Sequence, residues 1–166
     1  TSIMHFDSPA IDIIIIVFMI LASMHFGVIY AMLLKKFLVP TRNSVTKYYL
    51  NIILVLSLLI TFVLMLQGGY SSFGKALLDS VFQVVSFIST TGFGNADNAL
   101  WPMLANIFLL LAAFHCGCSG STTGGIKADR MLIIFKEIGN EFKRRLHPSS
   151  VFCTKVDDHT VNNDQI

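Results

Sequence analysis

Charge is scarce in this 166-residue sequence, and that scarcity decides where the chain can live. Asp, Glu, Lys and Arg make up 13 % of the residues against 54 % hydrophobic ones, with 14 phenylalanines, whereas soluble domains carry about 25 % charged residues. The balance excludes an ordinary soluble domain and points into lipid. Cysteine is also short. Three residues leave an odd count, and Cys116 and Cys118 stand too close together for a secreted disulfide framework. They read as reduced, packed thiols. A net charge of +2 is too small to argue for a nucleic-acid partner, and none is expected. No basic segment precedes the first apolar run, as a signal peptide would require; Asp7 precedes it and Asp12 stands near its start. Because Thr1 rather than Met opens the chain, it is expected to begin inside a longer protein.

What is present is a series of apolar stretches over residues 10–34, 48–66, 76–88 and 101–116, the last resuming at 126–138 after a glycine-rich break. A helix rises about 1.5 Å per residue and a hydrocarbon core is about 30 Å thick, so the first two stretches read as complete spans. Residues 76–88 supply only about 20 Å of helix, which must enter and stop. Basic residues give an independent test, since cytoplasmic loops are rich in Lys and Arg. Lys35, Lys36, Arg42 and Lys47 lie between the first two stretches, and Lys127, Arg130, Lys136, Lys143, Arg144 and Arg145 follow the last, with Lys75 alone between. Two basic flanks on one side require an even number of crossings between them, so 76–88 is expected to be re-entrant. The fold class is all-α integral membrane: transmembrane helices, a re-entrant pore helix with its loop, and a last helix broken inside the membrane. The C-terminal end is then cytoplasmic. Ser23, Gly27 and Ala31 recur every four residues, a small-residue stripe suited to close helix packing. Asp79, Gln83 and Ser86 share one helical face that lipid could not cover.

The short helix runs into Ser89, Thr90, Thr91, Gly92 and Phe93, expected to be an ion-binding selectivity-filter strand. Irregular backbone at membrane depth is tolerated only where protein or a water-filled cavity satisfies it. A helix C-terminus carries about half a negative charge, which favours a cation at the loop. Glycine adopts positive φ without a Cβ penalty, so Gly92 lets successive carbonyls turn one way and replace an ion's hydration shell. Thr90 and Thr91 would add carbonyls and hydroxyls, and Phe93 would anchor the strand from behind. An ordinary extracellular loop is the plain alternative. The second loop, Gly117, Cys118, Ser119, Gly120, Ser121, Thr122, Thr123, Gly124 and Gly125, breaks its helix with four glycines, each disfavouring helix by about 1 kcal/mol. A bent segment on the cytoplasmic side of a filter is placed to gate it. Gly120 and Gly125 have the spacing of a nucleotide-binding loop, but Ile126 stands at the lysine position and Ala128 follows Lys127. His115, Cys116 and Cys118 lack a second ligand pair and read as packed groups rather than a zinc site. No nucleophile arrangement is visible, so no enzyme is expected.

The motif STTGF after FQVVSFI, then LWP, then GCSGSTTGGIK followed by the basic KRRLHP, resembles the Trk/Ktr/HKT superfamily of cation transporters, in particular the bacterial Trk potassium-uptake membrane subunits. The resemblance implies four linked helix, pore-helix and helix repeats around one pore, with a glycine in each filter strand. Residues 1–47 then correspond to the second helix of one repeat and its cytoplasmic loop, 48–146 to the third repeat, and 147–166 to a polar connector. It further implies K⁺ as the permeant ion held by Thr90, Thr91 and Gly92 carbonyls, with no organic cofactor, and a gating loop at 117–125 with Lys127 following it. Expected partners are the lipid bilayer, the remaining pore repeats, a second copy in a homodimer and a cytosolic nucleotide-binding regulatory subunit, in a bacterial inner membrane. Thr123 departs from the family's run of three glycines. A Na⁺-conducting relative and a non-conducting membrane scaffold are the competing readings.

Overall fold

The chain begins with a single turn at Met4–Phe6, then α1 (Pro9–Ser23), α2 (Phe26–Leu33), α3 (Ser44–Leu66), α4 (Phe73–Ile88), a turn at Asn98–Leu100, α5 (Met103–Phe114) and α6 (Ala128–Leu146). These elements come from a computed structural model that describes residues 2–6, 8–34, 43–68, 70, 72–146, 154–156 and 159–161. The basic residues Lys35, Lys36 and Arg42, Cys153, and the acidic tail residues Asp157, Asp158 and Asp164 lie outside the described residues. Thr154–Val156 (β1) pairs antiparallel with His159–Val161 (β2), Lys155 opposite Thr160. The tail, expected to be a connector in an all-α chain, thus carries a short hairpin at its β-branched positions.

Local chemistry sets the helix starts. Pro9 at the first position fixes a helical φ, and Asp12 complements the positive end of α1. Asn43 caps α3, its side-chain oxygen accepting from the Thr46 N–H at 3.0 Å. Among the described residues α3 alone is long and apolar enough to cross a membrane as one straight helix. Leu54, Leu58, Phe62 and Leu66 form an exposed stripe along it at i, i+4 spacing.

The expected continuous helix over 10–34 is broken: α1 and α2 meet at 112°. Ser23 donates from Oγ back to the Met19 carbonyl at 2.6 Å, a bond that competes with the helix ladder and bends it. Met24 is extended, and His25 starts a new helix by accepting the Gly27 N–H on Nδ1 at 2.9 Å. Ser23, Gly27 and Ala31 therefore do not form one stripe.

At the centre lies α4, with α1, α3 and α5 packed around it. Its 16 residues span about 24 Å. Phe82, Val84, Val85 and Ile88 are buried with Ile53, Ile60 and Leu64 of α3 and Leu109 of α5 in one apolar core. Asp79, Gln83 and Ser86 are buried as well, as their shared face required. The break between α5 and α6 falls where the glycines predict it. Beyond it α6 returns to the start of α3, where the rings of Phe135 and Tyr48 lie 6.4 Å apart.

Candidate functional site

Helix α4 ends in a reciprocal pair of backbone bonds. Thr91 N–H reaches back to the Ser86 carbonyl and Thr90 N–H to that of Phe87, both at 3.1 Å. This closure requires the residue after the cap to be left-handed, normally glycine; here it is Thr90, with φ of 56°. A β-branched residue in that region is strained. Gly92 follows with φ of 73° and no atom within 4 Å of where a Cβ would stand, so its requirement is conformational and not steric. Thr90, Thr91 and Gly92 are exposed together, and Thr90 and Gly92 line a cavity of 330 Å³ with Gln83, Ser86 and Phe93. The Ser89 and Thr91 hydroxyls share a 2.7 Å hydrogen bond.

The polar face of α4 holds the strand that leaves this loop. Ser86 donates to the Phe93 carbonyl at 2.6 Å, which ties the strand back to the helix. Ile3 N–H donates to the Gly94 carbonyl at 2.9 Å, and Gln83 Nε2 to that of Ala96 at 3.1 Å. Asn95 lies between helices: its Nδ2 donates to Asp79 at 2.9 Å and Asp12 at 3.3 Å. Tyr70 stands beside Asp79, its phenol pushed up to about 12 by burial and then by that carboxylate, against a lowering contact with Trp101. It stays protonated at any physiological pH.

The second loop is seated in the break between α1 and α2. Cys118 N–H donates to the Ser23 carbonyl at 2.9 Å, Thr122 N–H to that of Ala22 at 3.4 Å, and Phe26 N–H to that of Gly120 at 3.3 Å. The Thr122 hydroxyl adds a 3.1 Å bond to Ala22. Backbone groups freed by the broken helix and by the loop satisfy one another, as buried backbone must. Within the loop, Lys127 Nζ donates to the Thr123 carbonyl and, at 3.5 Å, to its hydroxyl. The Ser121 hydroxyl donates to the Cys118 carbonyl at 2.6 Å, and Asp129 accepts the Ser119 N–H at 2.8 Å. Cys116 and Cys118 are buried and free, and the His115 ring stacks on Phe135 at 6.5 Å. The two loops are joined where Gly124 N–H donates to the Thr90 hydroxyl at 3.4 Å.

Sequence reasoning brought the residues of each loop together but missed His25, Asn95 and Asp12. Two polar residues in an apolar run, Ser23 and His25, were the available signal for the break. Nothing local marks Asn95, whose partner Asp12 is 83 positions away.

Residues 1–166 match the family described as TrkH, cation transport protein. The Trk system potassium uptake protein TrkH of Escherichia coli K12 is 35 % identical over 161 residues, covering 96 % of this chain and 33 % of that protein. TrkG of the same organism, also a Trk system potassium uptake protein, is 30 % identical over 163 residues, covering 98 % and 33 %. The crystal structure of the potassium transporter TrkH from Vibrio parahaemolyticus aligns with a TM-score of 0.90 at 30 % identity, over 99 % of this chain and 36 % of that one. The chain thus spans about a third of the length of the relatives it matches.

Proposed function

The chain belongs to the TrkH family of cation transport proteins, and from that premise we propose that it forms one pore-lining unit of a potassium-uptake protein in a bacterial inner membrane. The observation that carries the reading is the α4 terminus. A buried short helix ends on Thr90 and Gly92, both at positive φ and both open to one side. Carbonyls of Thr90, Thr91 and Gly92 replace water around K⁺, and the negative end of α4 favours the charge. Ser89 and Phe93 complete the filter strand at its two ends. Ion selection here is binding and release, with no bond made or broken, so the chain is not an enzyme and needs no organic cofactor.

In this reading α4 is re-entrant, and residues 1–47, 48–146 and 147–166 are the end of one pore repeat, a whole repeat and a cytoplasmic connector. The loop from Gly117 to Gly125 lies within the membrane and obstructs permeation while it is seated in the α1–α2 break. Lys127 locks it internally through Thr123. The other filter strands come from further repeats of the parent protein, which works as a homodimer with a cytosolic nucleotide-binding regulatory subunit.

Gly92→Ser in the full-length protein tests the filter. A side chain at that φ costs about 1–2 kcal/mol of backbone strain, which the strand relieves by turning its carbonyls. K⁺ uptake is expected to fall about tenfold, by the conversion of 1.4 kcal/mol per decade, and the preference over Na⁺ to narrow. Unchanged uptake and unchanged preference would remove the filter assignment.

A further inference from the structure

Contacts to main-chain carbonyls hold the strand that leaves the filter: Ser86 on Phe93, Ile3 on Gly94 and Gln83 on Ala96. A side chain on the strand itself adds to them. Asn95 spends its two N–H donors on Asp79 of α4 and Asp12 of α1, and its oxygen faces Gln83 Nε2 at 3.5 Å. One amide therefore ties the strand to the pore helix and to the neighbouring helix at once. Asp79 is only 6 % exposed, and the cavity of 310 Å³ beside it is lined by Asp12, Lys75, Asp79 and Asn95. Two carboxylates so close repel each other unless donors stand between them. The Asn95 amide is the donor placed there, so the geometry that sets the strand's height against α4 depends on this residue being an amide and not a carboxylate.

We propose that Asn95 is a positioning residue for ion selection: it fixes the filter strand against α1 and α4, and thereby the spacing of the Thr90 to Gly92 carbonyls, without itself touching the ion. The proposal rests on the filter reading above. Removing the donors and adding a third carboxylate lets the strand rise away from α4, which loosens the carbonyl cage toward an ion-indifferent one.

The test uses the full-length protein reconstituted in vesicles, with initial K⁺ and Na⁺ uptake measured against concentration. Asn95→Asp is expected to raise the KM for K⁺ and to reduce the K⁺ over Na⁺ ratio about tenfold, the size set by losing one hydrogen bond to the buried Asp79 carboxylate. The exchange variant Asn95→Asp with Asp79→Asn puts the amide on the helix and the carboxylate on the strand, which restores the tie to α4 but leaves Asp12 without its donor, and should recover part of the ratio. Asn95→Gln keeps the amide one methylene out of place and should shift the ratio in the same direction, less far. It serves also if Asn95→Asp does not fold. A purely structural brace would lower the yield of folded protein and the maximal rate while leaving KM and the ion ratio alone. That result, or an exchange variant no better than the single one, overturns the proposal. Gly92→Ser measured alongside separates the two claims. If it alters the ratio and the Asn95 variants do not, Asn95 has no such role and the filter stands; if neither alters it, the filter reading fails first.

Discussion

At Gly117 the loop backbone runs so close to α1 that a Cβ would sit 2.6 Å from the Ser23 carbonyl oxygen and 2.8 Å from the Thr123 hydroxyl. Glycine is needed there for space. Gly117→Ala forces the loop off its seat at a cost of about 1–3 kcal/mol, the usual penalty for overpacking. Ion flux through the full-length protein without its activating signal should therefore rise; flux equal to that of the parent would mean that seating does not obstruct the path. Thr90 presents the opposite case. A residue that pays about 1–3 kcal/mol for its left-handed backbone keeps a hydroxyl that glycine could not offer, and that hydroxyl accepts from Gly124. The strained residue thus ties its own loop to the second one.

The element that most changes the picture is the break between α1 and α2. Hydropathy reads residues 10–34 as one span because both halves are apolar, and a bend leaves no trace in an average. Only the partners of Ala22, Ser23 and Phe26, which lie about a hundred positions along the chain, explain why the helix can open without stranding its backbone groups. Break and loop are thus two halves of one device. Replacing Ala22 and Thr122 by cysteine places thiols where the two segments already share hydrogen bonds. Oxidation of that pair should lower conductance, and reductant should restore it, with the single Thr122→Cys variant unaffected by either. Conductance that is the same in the crosslinked and reduced protein would show that the loop need not leave α1.

Across the whole molecule, what was legible in the sequence were properties that sum over neighbours. The short length of α4, its polar face over Asp79, Gln83 and Ser86, and the glycine break before α6 all follow from periodicity and composition. The missing parts, Asn95 between two carboxylates and the seating of the second loop, depend on contacts between distant segments, for which one sequence carries no local mark. The central claim is that Thr90, Thr91 and Gly92 present carbonyls to a dehydrated monovalent cation. A crystal structure of the full-length protein grown with Rb⁺, which substitutes for K⁺ and scatters anomalously, tests it directly. An anomalous peak within coordination distance of those three carbonyls, absent in Gly92→Ser, is the predicted result. A filter that binds Rb⁺ elsewhere along the pore while leaving these carbonyls empty would contradict it.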